Sequence, residues 1–128
     1  MQVILAASGG GNAGTMTADC RQALENASCI IGARRLLAGL PDSYTNNRIA
    51  ATRPEEIITA IKQNKEGCVV LYSGDTGFYS GTRSLIPMLC SAEIDYTVYP
   101  GISSVQLLSA SIGQPWQDWL LLSAHGVD

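Results

Sequence analysis

Residues 68–77 read Cys-Val-Val-Leu-Tyr-Ser-Gly-Asp-Thr-Gly, a short apolar run that leads directly into a polar turn. An apolar run of this length, bounded by turn residues, is typical of a strand that is buried on both faces of a sheet. Apolar runs at 3–7 and 29–31 predict two more buried strands. These three segments decide the fold class.

Stretches with a helical spacing of apolar residues separate the predicted strands. Thr17 is the expected N-cap of one helix, Pro54 stands in the first turn of another, and Gly113 is expected to end a third. Further strands are predicted at 94–99 and 119–123. The alternation predicts an α/β fold with an open, mainly parallel sheet and helices on both faces.

Length and composition indicate one domain of 128 residues with its own core. Hydrophobic residues make up 46% of the chain and charged residues 15%, which suits a sheet covered on both sides. The net charge is −3 and Lys and Arg do not cluster, so a surface for nucleic acid or an anionic membrane is not expected. Because no apolar run could span a membrane and the start lacks signal-peptide features, we expect a cytoplasmic location.

The four cysteines stand singly, without a C-x-x-C pair. This spacing is poor for zinc, and disulfides are not expected in the cytoplasm. We therefore predict no metal site and expect Cys20, Cys29, Cys68 and Cys90 to be buried thiols.

Three loops follow predicted strands, at residues 8–14, 73–81 and 100–104. Parallel strands end at the same edge of a sheet, so these loops are expected to line one crevice. The first loop matches G-x-G-x-x-G, but Glu25 and Asp42 are poorly placed to hold a ribose, and no Lys-Ser or Lys-Thr completes a phosphate-binding loop. The first loop could be either a flexible turn or a ligand-binding loop, and both interpretations stay open.

The second and third loops carry side chains that could contact a ligand. Asp75 offers a carboxylate for an amine, a hydroxyl or a cation, and Phe78 offers flat apolar surface beside it. Asp and Gly are also common in turns for reasons of geometry alone. Ser103 and Ser104 stand at the start of a helix, where capping and ligand contact are alternative roles.

Together these loops resemble the tetrapyrrole methylase family. Residues 71–80 resemble its strand followed by G-D-P-x-F/Y, and residues 99–104 resemble its P-G-[IV]-[ST]-[ST] segment. Within the family, residues 30–37, and residues 113–118 leading to 123–126, resemble the branch that methylates carbon 5 of precorrin-6Y or cobalt-precorrin-7.

The resemblance implies a Rossmann-like fold in which residues 1–128 form the N-terminal domain that binds S-adenosylmethionine, the methyl donor. It also implies a second α/β domain, absent from these residues, without which the chain is expected to be inactive. No side chain is assigned a catalytic role, and His125 is taken as a residue of the domain junction. By transfer from the family motifs, the residues expected to bind the cofactor are Gly9, Gly10, Ser73, Gly74, Asp75, Phe78, Ser103 and Ser104.

The resemblance further implies a small tetrapyrrole substrate, a homodimer and a possible decarboxylating methyltransferase partner. The sequence departs from the family at the first loop, which lacks the first glycine and the proline of G-x-G-P-G, and at Thr76, where proline is usual. Three alternatives stay open: another branch of the family, of the diphthine synthase or rRNA methyltransferase type; a binding domain without turnover; and a dinucleotide-binding domain.

Overall fold

A computed structural model describes residues 2–122. It contains five strands: β1 (Val3–Ala7), β2 (Cys29–Gly32), β3 (Arg48–Ala50), β4 (Cys68–Tyr72) and β5 (Thr97–Tyr99). They form one sheet in the order β3-β2-β4-β1-β5, and every neighbouring pair is parallel. The predicted parallel sheet is confirmed.

Five helices connect or follow these strands: α1 (Ala18–Asn26), α2 (Arg34–Ala38), α3 (Pro54–Gln63), α4 (Thr82–Ser91) and α5 (Ser104–Ile112). Buried residues of α1 and α2 pack on one face of the sheet, and buried residues of α3 and α4 pack on the other. The predicted α/β class with helices on both faces is therefore confirmed. None of the helices in residues 2–122 is long and apolar enough to cross a membrane.

The central strands are apolar because both of their faces are covered. Leu5 and Val70 face the layer that contains α3 and α4, while Ala6 and Leu71 face the layer that contains α1 and α2. All four are at most 2% exposed. Full burial of a Leu or Val side chain contributes roughly 1.5–3 kcal/mol, so these two strands anchor the domain.

Local signals set the ends of several helices as expected. The Thr17 hydroxyl accepts a hydrogen bond from the Cys20 amide at 3.1 Å, which caps α1. Pro54 begins α3, where its missing N–H costs nothing. Gly113 ends α5 in the left-handed conformation, with φ of +68°.

Two expectations for the C-terminal part of the chain are wrong. Strand β5 covers only three of the residues predicted at 94–99. Ile94 does not join it, because its amide donates a hydrogen bond to the Leu89 carbonyl at the end of α4, at 2.9 Å. Residues 119–122 form no strand, since no neighbouring strand pairs with them, and Leu120 and Leu122 are 84% and 83% exposed. Ser123, the last residue of that predicted strand, lies outside the described residues.

Three of the four cysteines are buried as expected, and Cys90 is exposed on α4, contrary to the prediction. Burial raises the pKa of Cys20 to about 11. Burial, followed by the neighbouring Cys29 thiol, raises the pKa of Cys68 to about 12. Cys29 and Cys68 face each other on β2 and β4, and as neutral thiols they act as small apolar core residues.

Candidate functional site

The first two glycine-rich loops are bonded to each other at the carboxyl edge of the sheet. The Gly9 amide donates to the Gly74 carbonyl at 3.2 Å, and the Gly74 amide donates back to the Gly9 carbonyl at 2.9 Å. Both residues have φ of +65°, a conformation that L side chains rarely adopt. A Cβ at Gly9 would also collide with the Thr15 carbonyl oxygen. Glycine is therefore required here for the two loops to meet.

The Asp75 carboxylate joins the second loop to the third. One of its oxygens accepts a hydrogen bond from the Gly101 amide at 2.9 Å, and the other accepts one from the Gly77 amide at 3.0 Å. The Thr76 hydroxyl adds a bond to the Tyr99 carbonyl at 3.1 Å. The three loops thus lie together at one edge, as the order of strands and helices in the sequence predicts.

The two serines of the third loop have different environments. Ser103 is buried, its hydroxyl accepts from the Gln106 amide at 3.3 Å, and its own amide donates to the Gln106 side chain at 2.7 Å. This reciprocal pair is a capping box that fixes the start of α5. Ser104 is exposed at the first position of the helix. Of the two roles left open by the sequence, capping belongs to Ser103.

A cavity of about 880 Å³ lies at this edge, within the size range of small-molecule sites. Asp75 and Ser103 do not line it: the Asp75 carboxylate bonds amides of the second and third loops, and the Ser103 hydroxyl caps α5. Binding of the cofactor by the predicted residues stays a prediction. The structure brings six of them to the wall of the cavity: Gly9, Gly10, Ser73, Gly74, Phe78 and Ser104.

The cavity is also lined by residues that were not among the predicted cofactor-binding residues. Thr52 follows β3, Arg35 lies in α2 after β2, and Leu107 lies in α5. Their position in the sequence, after a strand end or near a helix start, could have predicted that they belong to the site, because all parallel strands place their carboxyl ends at the same edge of the sheet. Within residues 2–122, no group of three or more Cys, Asp, Glu or His side chains could hold a metal ion.

Tyr72, another lining residue that the sequence did not single out, ends β4 beside the cavity. Its hydroxyl oxygen is buried and has no hydrogen-bond partner among the described residues. Burial raises the pKa of the Tyr72 phenol to about 12, so the hydroxyl keeps its proton at neutral pH. A buried hydroxyl without a partner lowers stability because it has lost its bonds to water.

Replacing Tyr72 with Phe is therefore expected to raise the free energy of unfolding by about 1 kcal/mol. Urea denaturation followed by circular dichroism measures the change. Tyr44→Phe is the matched control, because Tyr44 is half-buried on the opposite face of the sheet and does not line the cavity. A clear loss of stability in Tyr72→Phe would show that the hydroxyl has a partner in the folded chain.

Comparison with known proteins identifies relatives by sequence. The cobalt-precorrin-7 C(5)-methyltransferase of Salmonella typhimurium is 33% identical over 113 residues, which cover 87% of this chain and 55% of that protein. The probable cobalt-precorrin-7 C(5)-methyltransferase of Methanocaldococcus jannaschii is 25% identical over 123 residues, which cover 92% of this chain and 57% of that protein. The chain thus spans little more than half the length of these curated relatives.

Solved structures share the fold. The methyltransferase CobJ superposes with a TM-score of 0.76 at 23% identity, covering 89% of this chain and 52% of that one. Uroporphyrin-III C-methyltransferase from Thermus thermophilus, complexed with S-adenyl homocysteine, superposes with a TM-score of 0.70 at 20% identity. It covers 87% of this chain and 48% of that one.

A family model matches the sequence of the chain. The segment at 123–126 that contributed to the sequence resemblance, with His125, lies outside the described residues. The model described as Tetrapyrrole (Corrin/Porphyrin) Methylases nevertheless matches nearly the whole chain, residues 2–126. The chain belongs to the tetrapyrrole methylase family.

Proposed function

We propose that this chain forms the cofactor side of an S-adenosylmethionine-dependent methyltransferase that methylates carbon 5 of precorrin-6Y or cobalt-precorrin-7 in cobalamin biosynthesis. The observation that carries the proposal is the junction of three strand-end loops around a cavity of about 880 Å³. The names of the two sequence relatives support the choice of substrate and of ring carbon. The homodimer and the decarboxylating partner stay predictions.

The residues at the cavity fit a sulfonium nucleoside. Glycine suits position 10 because a Cβ there would crowd its neighbours, standing 3.1 Å from the Thr15 hydroxyl and 3.2 Å from Leu107. Phe78 and Tyr79 pack edge to face and offer aromatic surface for a flat base. None of the lining side chains within residues 2–122 is acidic, so the positive charge of the cofactor would be stabilised by dipoles and aromatic faces.

Hydroxyl groups are the side chains best placed to orient a ligand here. The amides of Gly9 and Gly74 are bonded within the loops, and the Gly10 amide is bonded to the Thr15 hydroxyl at 2.9 Å. Thr52, Ser73 and Ser104 line the cavity with hydroxyls that form no hydrogen bond within residues 2–122, so these three could bond a ligand.

When bound, S-adenosylmethionine supplies an electrophilic methyl group for an electron-rich ring carbon. The contribution of this chain is to hold the reactants in the right geometry and to exclude water, through the hydroxyls above and the apolar surface of Phe78 and Leu107. Such a transfer asks little of a general acid or base, in keeping with a cavity wall that lacks acidic side chains in the described part of the chain.

Binding of S-adenosylhomocysteine tests this proposal directly. For the 128-residue chain alone we expect weak binding, with a Kd on the order of 1 mM, detectable by saturation-transfer NMR. Binding should tighten when the chain is joined to the C-terminal domain of a relative, because that domain would cover the open side of the cavity. NAD is the competing probe, and NAD binding without S-adenosylhomocysteine binding would remove the methyltransferase proposal.

A matched pair of variants on α5 locates the binding. Ser104→Tyr places a large side chain at the cavity and is expected to abolish the S-adenosylhomocysteine signal. Ser111→Tyr adds the same group to an exposed position of the same helix that does not line the cavity, and is expected to retain it. Equal binding by both variants would place the ligand elsewhere.

A further inference from the structure

Arg35 is the only charged side chain on the cavity wall in the described part of the chain. It is the second residue of α2, immediately past the carboxyl end of β2. The side chain is exposed, and both salt bridges found within residues 2–122 belong to Arg53 instead. A guanidinium that forms no salt bridge within residues 2–122 and belongs to a residue lining the cavity is available for an anion.

Arg35 lies several strands away from Gly9 and Ser104, two of the residues predicted to bind the cofactor. Along the sheet, the ends of β2, β4, β1 and β5 follow one another, so about 14 Å separates the end of β2 from the end of β5 at a strand spacing of about 4.8 Å. Arg35 stands at the β2 end, whereas Ser104 stands beyond the β5 end and Gly9 follows β1. Ser73 and Gly74, which follow β4, lie between them, so the cavity has its cationic residue at the β2 end and Ser104 at the opposite end.

The cationic end suits a reactant that is anionic overall better than S-adenosylmethionine, whose single carboxylate is outnumbered by its sulfonium and ammonium groups. A guanidinium binds a carboxylate through two parallel hydrogen bonds, and it repels a cation such as a sulfonium. Corrinoid precursors carry acetate and propionate side chains around the ring. We propose that Arg35 binds a carboxylate side chain of the tetrapyrrole substrate and thereby makes the site specific for an acidic macrocycle. This inference rests on the proposed function.

Two corrinoid probes that differ in charge test the assignment. Cobyrinic acid carries carboxylates at the ring periphery, and cobinamide carries amides there. In absorbance titrations we expect Arg35→Gln to weaken binding of cobyrinic acid about tenfold and to leave binding of cobinamide unchanged. Arg35→Lys should retain part of the affinity, since an ammonium keeps the charge without the two-pronged geometry.

Arg34 supplies the matched control, because it is the adjacent, exposed arginine of α2 and does not line the cavity. Arg34→Gln is expected to bind cobyrinic acid like the unsubstituted chain. Equal weakening by both substitutions would show a general effect of surface charge and overturn the assignment. Weaker binding of S-adenosylhomocysteine by Arg35→Gln, with cobyrinic acid unaffected, would overturn it in favour of the methionyl carboxylate.

The same titrations separate this inference from the function on which it rests. If the unsubstituted chain binds S-adenosylhomocysteine and Arg35→Gln loses no affinity for cobyrinic acid, only the role of Arg35 is wrong. If the unsubstituted chain binds NAD but neither S-adenosylhomocysteine nor cobyrinic acid, the proposed function and the role of Arg35 are both wrong.

Discussion

Replacing Gly101 with Ala is expected to lower the free energy of unfolding by about 3 kcal/mol, the upper end for an overpacked site. A Cβ at this position would stand 2.8 Å from the Ala7 side chain, and still closer to the Gly74 carbonyl oxygen. Neither neighbour can retreat easily, because Ala7 belongs to the central strand β1 and Gly74 is bonded to Gly9. Urea denaturation followed by far-UV circular dichroism measures the loss.

Gly39→Ala provides the comparison for Gly101→Ala. A Cβ at Gly39 would lie 3.7 Å from its nearest neighbours, which is ordinary contact. This substitution should leave stability unchanged or raise it by up to about 1 kcal/mol through the loss of chain entropy in the unfolded state. Wild-type stability in Gly101→Ala would contradict the close approach of the three loops.

Replacing Asp75 with Ala is expected to cost about 2 kcal/mol of stability. The carboxylate is the shared acceptor for the amides of Gly77 and Gly101, and its removal leaves both without this partner. Hydrogen bonds to a charged group contribute about 1.5–3 kcal/mol, and the partial exposure of this pair lowers the figure. Thermal and urea denaturation of the variant measure the change.

Two further substitutions separate structure from ligand binding at this position. Asp75→Asn should show a smaller loss, because the amide oxygen replaces one acceptor while its NH₂ group meets a backbone N–H. Asp95→Ala, at an exposed aspartate outside the cavity wall, should be neutral. If Asp75→Ala kept full stability but lost S-adenosylhomocysteine binding, the carboxylate would serve the ligand and not the loops.

The buried strands were predictable because their composition reflects burial on both faces. Residues 68–72 and 3–7 are apolar throughout, and no surface position interrupts them. The three residues of β5 carry a weaker signal, since this edge strand is partly exposed and residues 94–96 before it belong to no strand or helix. Apolar character alone also mispredicts Leu120 and Leu122, because the sequence does not reveal whether a partner strand is present.

The sequence predicts where the candidate site lies better than it predicts the role of each side chain. Loop position after parallel strands brings Gly9, Ser73 and Ser104 to one cavity. The roles of Asp75 and Ser103 depend on which backbone amides lie within reach, and this follows from the register of the sheet and the path of each loop. The spacing of residues in a single sequence does not reveal which backbone amides lie close to these two side chains.

The strand order has a consequence for how the protein is made. β1 and β2 follow each other along the chain but are held apart by β4, so that Val3 and Cys29 both pair with Cys68. A ribosome must therefore synthesise beyond residue 72 before either early strand gains this neighbour. Until then the nascent chain exposes unpaired strand edges, which are prone to aggregation. Completion of β4 pairs one edge of each of these strands, and the other edge of β1 is paired only after residues 97–99 of β5 have been made.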